Sequence, residues 1–100
     1  MFRLASDANE FEWDDAKAAV NLAKHGISFA QAAKIFDNMV MEAVDDREDY
    51  GELRMIGLGR IELDIFRVVY TRRNEQTVRI ISAQRATQNE RKIYYRAAFS

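Results

Sequence analysis

The hydrophobic period of the chain changes once, near Met39, and this change constrains the fold more than any other feature. Before it, apolar residues recur at helical spacing, which predicts helices over residues 14–25 and 28–37. Gly26 between them is the residue type that ends a helix. After Met39 the period is that of strands, in the segments MVMEAV, LRMIGLGR, DIFRVVYTRR and TVRIISAQ. Four successive strands with short connections predict an antiparallel meander.

The two ends of the chain add a strand and a helix. FEWD at residues 11–14 alternates aromatic and acidic side chains, and TQNE at residues 87–90 is a capping box that begins a helix. The predicted order is β-α-α-β-β-β-β-α, a small α+β domain with an antiparallel sheet, two N-terminal helices on one face and a C-terminal helix. We expect residues 1–100 to form one domain, with residues 1–10 as a flexible N-terminal segment. The predicted core residues are Phe29, Ile35, Phe36, Val68, Tyr70, Ile80 and Ile81.

The composition excludes several kinds of chemistry. The chain has no cysteine and one histidine, so disulfides, thiolate metal sites and cysteine nucleophiles are absent. The carboxylates do not follow a calcium-loop or zinc-site pattern, and the four glycines lie too far apart for a phosphate-binding loop. We therefore expect no metal and no cofactor. The N-terminus lacks the apolar core of a signal peptide and no run is long enough to span a membrane, so we expect a cytoplasmic protein without a membrane partner.

Charge is unevenly distributed along the chain. Residues 1–59 contain 6 Lys/Arg and 12 Asp/Glu, whereas residues 60–100 contain 9 and 4. A basic half is suited to contact phosphates, and an acidic half is suited to a basic partner. The alternative is an evenly solvated surface.

Two arginines lie on strands and call for a partner. Arg67 and Arg79 fall on the mixed face of the predicted sheet, where we expect them close together on neighbouring strands. Like charges side by side need an anion or a carboxylate between them. Either each arginine pairs with a local Glu or Asp, or the two bind an anionic ligand.

The stretch RIISAQRATQNERKIYY is the densest in basic residues. Its charges surround the start of the last helix, and two tyrosines follow that offer stacking surface for bases. The alternative is a solvated helix whose aromatic residues anchor it to the core. The residues concerned are Arg79, Arg85, Arg91, Lys92, Tyr94 and Tyr95.

His25 lies between Lys24 and Gly26 at the corner between the first two helices. It has three interpretations: a residue that meets the helix dipole at a C-terminus, a partly buried hydrogen-bonded side chain, or a proton-transfer group. An ammonium beside an imidazole in one corner is compatible with phosphate chemistry.

Several separated motifs together resemble one known family. The pattern FEWD..K...N..KHGISF..A...F, followed by G..R...IG, R.VYT.R and RIISA.RAT..ER..Y, resembles the BrnT toxins of bacterial type II toxin–antitoxin systems over about residues 11–95. BrnT toxins are similar in fold to RelE-like ribonucleases. The resemblance implies an RNA-cleaving toxin that stops translation and growth. It also implies neutralisation by a dimeric, DNA-binding BrnA-type antitoxin, in a complex of two copies of each chain, through which the toxin reaches operator DNA.

The resemblance also implies a set of site residues. The implied mechanism is metal-independent endoribonuclease chemistry, in which the 2′-hydroxyl attacks the adjacent phosphorus with a base, an acid and cations in support. The implied catalytic residues are Arg79, Arg54, His25, Lys24, Tyr70 and Glu90. The implied RNA-binding residues are Arg85, Arg91, Ser82, Tyr94 and Arg67. The other matching motif residues are Trp13, Lys17, Asn21 and Gly26.

Two departures from the family pattern and one alternative function accompany the resemblance. Gln84 occupies a position where the family often has arginine, and the histidine usual in the mid-chain acidic loop is missing from DREDYGELR. RelE-like enzymes rely on Arg, Lys and Tyr more than on a matched pair of histidines, so the resemblance ranks the arginines above His25 as catalytic candidates. The alternative is a non-catalytic module whose basic sheet face binds a protein or a nucleic acid.

Overall fold

The computed structural model describes residues 1–99 and contains one six-stranded sheet and three α-helices. A 3-10 helix, Ala33–Asp37, follows α2 directly. In chain order the elements are β1 (Arg3–Leu4), β2 (Glu10–Trp13), α1 (Asp15–His25), α2 (Phe29–Ala32), β3 (Val40–Val44), β4 (Met55–Ile61), β5 (Asp64–Arg72), β6 (Thr77–Arg85) and α3 (Gln88–Ala98).

The sheet has the strand order β1-β3-β4-β5-β6-β2. Strands β3 to β6 form the antiparallel meander that the sequence predicts. The prediction of a wholly antiparallel sheet is wrong at one edge, because β2 pairs with β6 in parallel, with Glu12 opposite Arg79. Parallel pairing requires a long crossover, which the helices and the meander between these two strands supply.

The N-terminal segment takes part in the sheet. We expected residues 1–10 to be flexible, but β1 pairs with β3, with Arg3 opposite Glu42. The guanidinium of Arg72 also donates to the backbone carbonyls of Ser6 and Asp7. The observed order therefore begins with an additional short edge strand.

The helices begin where the sequence predicts. The Asp14 side chain accepts a hydrogen bond from the backbone N–H of Lys17 at 2.9 Å, and Gly26 ends α1 with φ +71°. Ser28 and Gln31 form the expected capping box. The second helix differs from the prediction, because it tightens to 3-10 geometry after Ala32. Periods of 3.0 and 3.6 residues are indistinguishable over so few residues.

The main core lies between α2, the 3-10 helix and one face of the sheet. Phe29, Ile35 and Phe36 pack there against Val68, Tyr70 and Ile80, which confirms six of the seven predicted core residues. Phe36 and Tyr70 meet edge to face with ring centroids 5.3 Å apart. The seventh, Ile81, is only half-buried.

A smaller core lies on the opposite face, beneath α3. It contains Leu58, Ile65 and Tyr94, and the Tyr94 hydroxyl donates to the backbone carbonyl of Met39 at 2.9 Å. At the other end of this face the side chains of Arg79 and Glu12 are 33% and 42% exposed. The sheet is therefore covered on one face and partly open on the other.

Gly59 is needed where the 3-10 helix crosses β4. A Cβ atom added at this position would lie 2.4 Å from the Cβ of Ile35, so the backbones themselves would have to separate. We predict that Gly59→Ala lowers the free energy of unfolding by about 1–3 kcal/mol, as overpacking does. Gly57→Ala, whose added Cβ would be 3.0 Å from a Tyr70 ring atom, should cost less. Urea denaturation measures both, and a larger loss in Gly57→Ala would contradict the prediction.

Candidate active site

A β-bulge brings Arg79 and Ser82 to the same face of the sheet. Arg79 lies opposite Thr71, and Ser82 lies opposite Val69. Ser82 is three positions after Arg79 on β6, whereas Thr71 is only two positions after Val69 on β5, so β6 contains one extra residue. Side chains two residues apart on a regular strand share a face, so Arg79 and Ser82 both project on the side of Val69 and Thr71. We call the surface formed by Glu12, Arg54, Thr71, Arg79 and Ser82 the arginine face.

Glu12 is the immediate partner of Arg79 on this face. Its Oε1 atom lies 3.5 Å from Nη1 of Arg79 and accepts a hydrogen bond of 2.8 Å from Nε of Arg73. The hydrogen bond from Arg73, with a smaller contribution from Arg79, holds the pKa of Glu12 below its usual value. The carboxylate is therefore ionised at neutral pH and bridges two guanidinium groups.

Arg54 lies across β5 from Arg79. It precedes Met55, which pairs with Tyr70, so it is level with Thr71, and Thr71 in turn pairs with Arg79. Its Nε atom is 3.2 Å from Oε2 of Glu52, and its guanidinium stacks over the Tyr50 ring at 4.1 Å. Two of the predicted catalytic arginines thus share one row of the sheet, each beside a carboxylate.

A cleft of about 360 Å³ separates α1 from β6 and adjoins the arginine face at Ser82. We call it the α1 cleft. Its lining includes Lys17, Lys24, His25, Ile81 and Ser82. Three predicted site residues, Lys24, His25 and Ser82, therefore meet here, and Lys17 joins them because it lies two helical turns before Lys24.

Asn21 forms the wall between α1 and β6. Its amide donates to the backbone carbonyls of Ala83 at 2.9 Å and Ile27 at 3.2 Å, and its Oδ1 accepts from the Ala83 N–H at 3.0 Å. The pairing of β2 with β6 ends at Ile80, so Asn21 satisfies the edge of β6 where no strand does. The family motif includes Asn21, but the hydrophobic period of the helix does not predict that its side chain pairs with β6.

Tyr70 and Glu90 are predicted catalytic residues that the structure uses internally. The Tyr70 side chain is fully buried, its hydroxyl donates to Oε1 of Glu42 at 2.6 Å, and burial raises the pKa of Tyr70 far above its usual value. Glu90 accepts the backbone N–H of Thr87 at 2.9 Å in the helix cap. Its other oxygen lies 3.2 Å from Nε of Arg67, an ion pair in which that N–H is not aimed for a hydrogen bond. Tyr70 lies in the main core, and Glu90 lies beside Arg67, away from Arg79 along the strands.

The basic residues near the C-terminus are divided among several surfaces. Arg67 shares a face with Arg79 but pairs with Gln84, so our expectation that the two arginines are close together is wrong. Gln84 is five positions from Arg79 on β6, so the pairing of β5 with β6 keeps the two arginines apart although they share a face. Arg85 projects on the opposite face, over the Phe66 ring at 5.5 Å and 3.0 Å from Asp64.

Tyr94 and Tyr95 on α3 do not together form a surface on which bases could stack. Tyr94 is buried, whereas Arg91 lies on α3 with its guanidinium 5.8 Å from the Tyr95 ring. Tyr95 stacks on Phe99 with centroids 5.7 Å apart. The alternative we gave for this helix, aromatic anchors on a solvated helix, describes Tyr94.

Sequence reasoning missed Glu12 as a site residue. The alternation in FEWD places Glu12 on the face opposite Phe11 and Trp13, but only the parallel pairing of β2 with β6 puts it beside Arg79. No sequence signal gives that pairing.

Within residues 1–99 no three His, Cys, Asp or Glu side chains are grouped as metal ligands, and no helix is long and apolar enough to cross a membrane.

The fold and the surface define a class of protein: a small α+β domain with one covered sheet face and one arginine-lined face that is partly open. The family model described as "Ribonuclease toxin, BrnT, of type II toxin-antitoxin system" matches residues 13–90. The chain therefore belongs to the BrnT family of ribonuclease toxins.

A solved structure is similar over most of the chain. The ribonuclease toxin BrnT of Brucella abortus, a crystal structure at 1.1 Å, superposes with a TM-score of 0.59 and 25% sequence identity, covering 80% of this chain and all of that one. No curated protein matches the chain significantly. The mixed six-stranded sheet with three helices is thus similar to that of a BrnT toxin.

Asn21 should be indispensable for the geometry of the α1 cleft. We predict that Asn21→Ala lowers the free energy of unfolding by about 2–4 kcal/mol, because the buried N–H and carbonyl of Ala83 lose their partners. Asn38→Ala removes one exposed hydrogen bond to the Arg60 carbonyl and should cost less than about 1 kcal/mol. Thermal unfolding of both variants measures the difference. Equal melting temperatures would show that Asn21 is not a structural link.

Proposed function

We propose that this chain is the toxin of a type II toxin–antitoxin system and cleaves RNA by attack of a 2′-hydroxyl on the adjacent phosphorus. One observation carries the proposal: the bulge in β6 aligns Arg79 with Ser82 on a partly open face, which adjoins a cleft whose lining includes two lysines and a histidine. An extended polyanion such as RNA binds along cationic side chains that follow its backbone. Family membership supplies the reaction class.

The cations of the site do most of the chemical work in this proposal. Arg79 and Arg54 stabilise the negative charge that develops on the phosphorane, and Lys17 and Lys24 hold neighbouring phosphates or protonate the departing 5′-oxygen. Fixed guanidinium groups supply the charge stabilisation that a metal ion would otherwise provide, so we propose metal-independent cleavage, as in RelE-like enzymes. Tyr70 and Glu90 are assigned structural roles instead.

The RNA path follows from the same surfaces. His25 lies at the end of the α1 cleft and also lines a second cleft of about 440 Å³ that reaches Arg85 on the other side of the sheet. Strand 3′ or 5′ to the scissile bond can therefore pass over the C-terminal end of α1 and contact Arg85. Arg67 and Arg91 lie toward α3, farther from Arg79, and remain candidates for peripheral phosphate contacts.

The partner of the toxin belongs to the same proposal. We propose a BrnA-type antitoxin that binds DNA and joins the toxin in a complex of two copies of each chain, with operator DNA reached only through the antitoxin. Cleavage of cytoplasmic RNA would stop translation and growth when the antitoxin is lost. Acidic residues concentrated in the first half of the chain support contact with a basic antitoxin segment.

The alternative function is a non-catalytic module that binds RNA or protein through the arginine face. Arg54, Arg73 and Arg79 form partly exposed ion pairs with glutamates. Such pairs are typical of a binding surface and do not require a reaction centre, which favours this alternative. Purified protein incubated with RNA in the presence of EDTA separates the two functions. Cleavage supports the nuclease, whereas binding without cleavage supports the module.

Substitution of Arg79 tests the arginine-centred mechanism. We predict that Arg79→Ala reduces the rate of RNA cleavage by about 10²–10³-fold and relieves growth arrest, since a preorganised cation at a developing charge is worth that much. Its melting temperature should stay near that of the unsubstituted protein, because the side chain is partly exposed. Arg96→Ala, at an exposed position on α3, is the matched control.

His25→Ala distinguishes two roles for His25, a contact with phosphate and the transfer of a proton. It should cost less activity than Arg79→Ala if His25 only contacts a neighbouring phosphate, and as much if it transfers a proton. Full activity in a folded Arg79→Ala would remove the arginine-centred mechanism.

Assembly with an antitoxin is tested by co-expression. We predict that the chain co-purifies with the small DNA-binding protein encoded beside it, with a mass that corresponds to two copies of each. Native mass spectrometry or light scattering measures that mass. Recovery of this chain alone, as a stable monomer beside its expressed neighbour, would contradict the assembly.

A further inference from the structure

We infer that Glu12 is the catalytic residue that accepts the proton of the attacking 2′-hydroxyl, and that in the free protein it occupies the guanidinium groups that the RNA phosphate takes over. The inference rests on the proposed ribonuclease function and assigns its missing base. Glu12 bridges Arg73 and Arg79, as shown by contacts of 2.8 Å and 3.5 Å from one carboxylate oxygen. An anion held by two guanidinium groups marks a site that another anion can occupy.

The position of Glu12 is fixed by its neighbours. Phe11 and Trp13 on either side are anchored in the main core, where their rings lie 5.5 Å from Phe36 and 6.1 Å from Phe29. Because alternate residues of a strand project on opposite faces, Glu12 is held on the arginine face. The carboxylate is thus carried by a strand and remains accessible to solvent.

Binding of RNA would convert Glu12 from an ion-pair partner into a base. A phosphate offers Arg73 and Arg79 stronger bidentate contacts than one shared carboxylate oxygen does. When the guanidinium groups turn to the phosphate, Glu12 loses the hydrogen bonds that keep it weakly basic and gains an anionic neighbour. The affinity of the Glu12 carboxylate for a proton then rises at the point where the 2′-hydroxyl must lose one.

The step balances without a cofactor. The Glu12 carboxylate takes the proton of the 2′-hydroxyl, the 2′-oxygen forms a bond to phosphorus, and the bond from phosphorus to the 5′-oxygen breaks. The 5′-oxygen leaves with a proton from the ammonium of Lys17, the lysine of the α1 cleft nearer to β2. The products are a 2′,3′-cyclic phosphate and a 5′-hydroxyl, and Glu12 returns its proton to solvent as the lysine regains one.

Other proton acceptors are less well placed. His25 is at the opposite end of α1, an 11-residue helix about 16 Å long. Glu90 has one oxygen in the cap of α3 and the other beside Arg67. Glu12 has a partly exposed carboxylate in direct contact with Arg79.

The test compares Glu12→Gln with Glu10→Gln. Glu10 is on the same strand and face, opposite Thr77, so its variant reports the general effect of removing one negative charge there. The measurements are the cleavage rate of an oligoribonucleotide between pH 5 and pH 9, the affinity for the same sequence with deoxyribose at the cleaved position, and the melting temperature. Glu12→Asp, which keeps the charge on a shorter side chain, is measured in parallel.

We expect Glu12→Gln to slow cleavage by about 10²–10⁴-fold while binding the deoxy-substituted oligonucleotide at least as tightly as the unsubstituted protein does. Cleavage by the unsubstituted protein should fall as the pH falls and Glu12 becomes protonated, and this acidic limb should be missing from the residual activity of Glu12→Gln. Glu10→Gln should stay within about 3-fold in rate. Glu12→Asp should show an intermediate rate and keep the acidic limb.

Three results would overturn the assignment. Cleavage by folded Glu12→Gln at the unsubstituted rate would remove Glu12 as the base. If Glu12→Gln does not fold, a Glu12→Asp rate equal to that of the unsubstituted protein would do the same, because a shortened base must lose reach. Absence of cleavage by the unsubstituted protein would instead overturn the proposed function itself, and the inference with it.

Discussion

The backbone hydrogen bonds on the outer edge of β6 are the constraint on which the functional surface depends. As far as Ile80 this edge is paired with β2, and beyond Ile80 the Asn21 side chain takes both the N–H and the carbonyl of Ala83. An unpaired buried N–H would be costly, so β6 can leave β2 only because a helix supplies the substitute. The change of partner coincides with the bulge near Ile81 and with the opening of the α1 cleft. One strand edge therefore produces the cleft and the arginine face together.

Local patterns in the sequence were sufficient for most of the fold. Caps at Asp14, Ser28 and Thr87 begin the three helices, and alternation after Met39 gives the meander, because both signals act over a few residues. The parallel pairing of β2 could not be predicted, since it joins residues far apart and leaves no periodic trace. The bulge was also invisible, because one extra residue changes which side chains share a face without changing composition. That single residue brings Arg79 to the face of Ser82 and Arg67, whereas the distance between the two arginines follows from the β5–β6 pairing, which sets Arg67 opposite Gln84.

The sequence predicted which residues belong to the candidate site better than it predicted which of them lie together. Motif resemblance named Arg54, Arg79, Lys24, His25 and Ser82, which the structure distributes over two adjoining surfaces. It also named Tyr70 and Glu90, whose hydrogen bonds are internal, because a motif does not distinguish a residue retained for packing from one retained for chemistry. Of the two alternatives for Arg67 and Arg79, the structure shows the local pairing, because Glu90 lies beside Arg67 and Glu12 beside Arg79. Only the Arg79 pair is substantially exposed, and exposed pairs are weak.

The parallel contact between β2 and β6 also determines when during folding the arginine face is complete. The hairpins of the meander close short loops, whereas pairing Glu10 with Thr77 closes a loop that contains most of the chain. Contacts between distant residues form late because their loop entropy must be overcome before they contribute stability. On a ribosome, β6 emerges only after almost the whole domain has been synthesised, so Arg79 meets Glu12 near the end of synthesis. A nascent chain that lacks its last strand and helix has the helices and part of the meander, but not the assembled cationic surface.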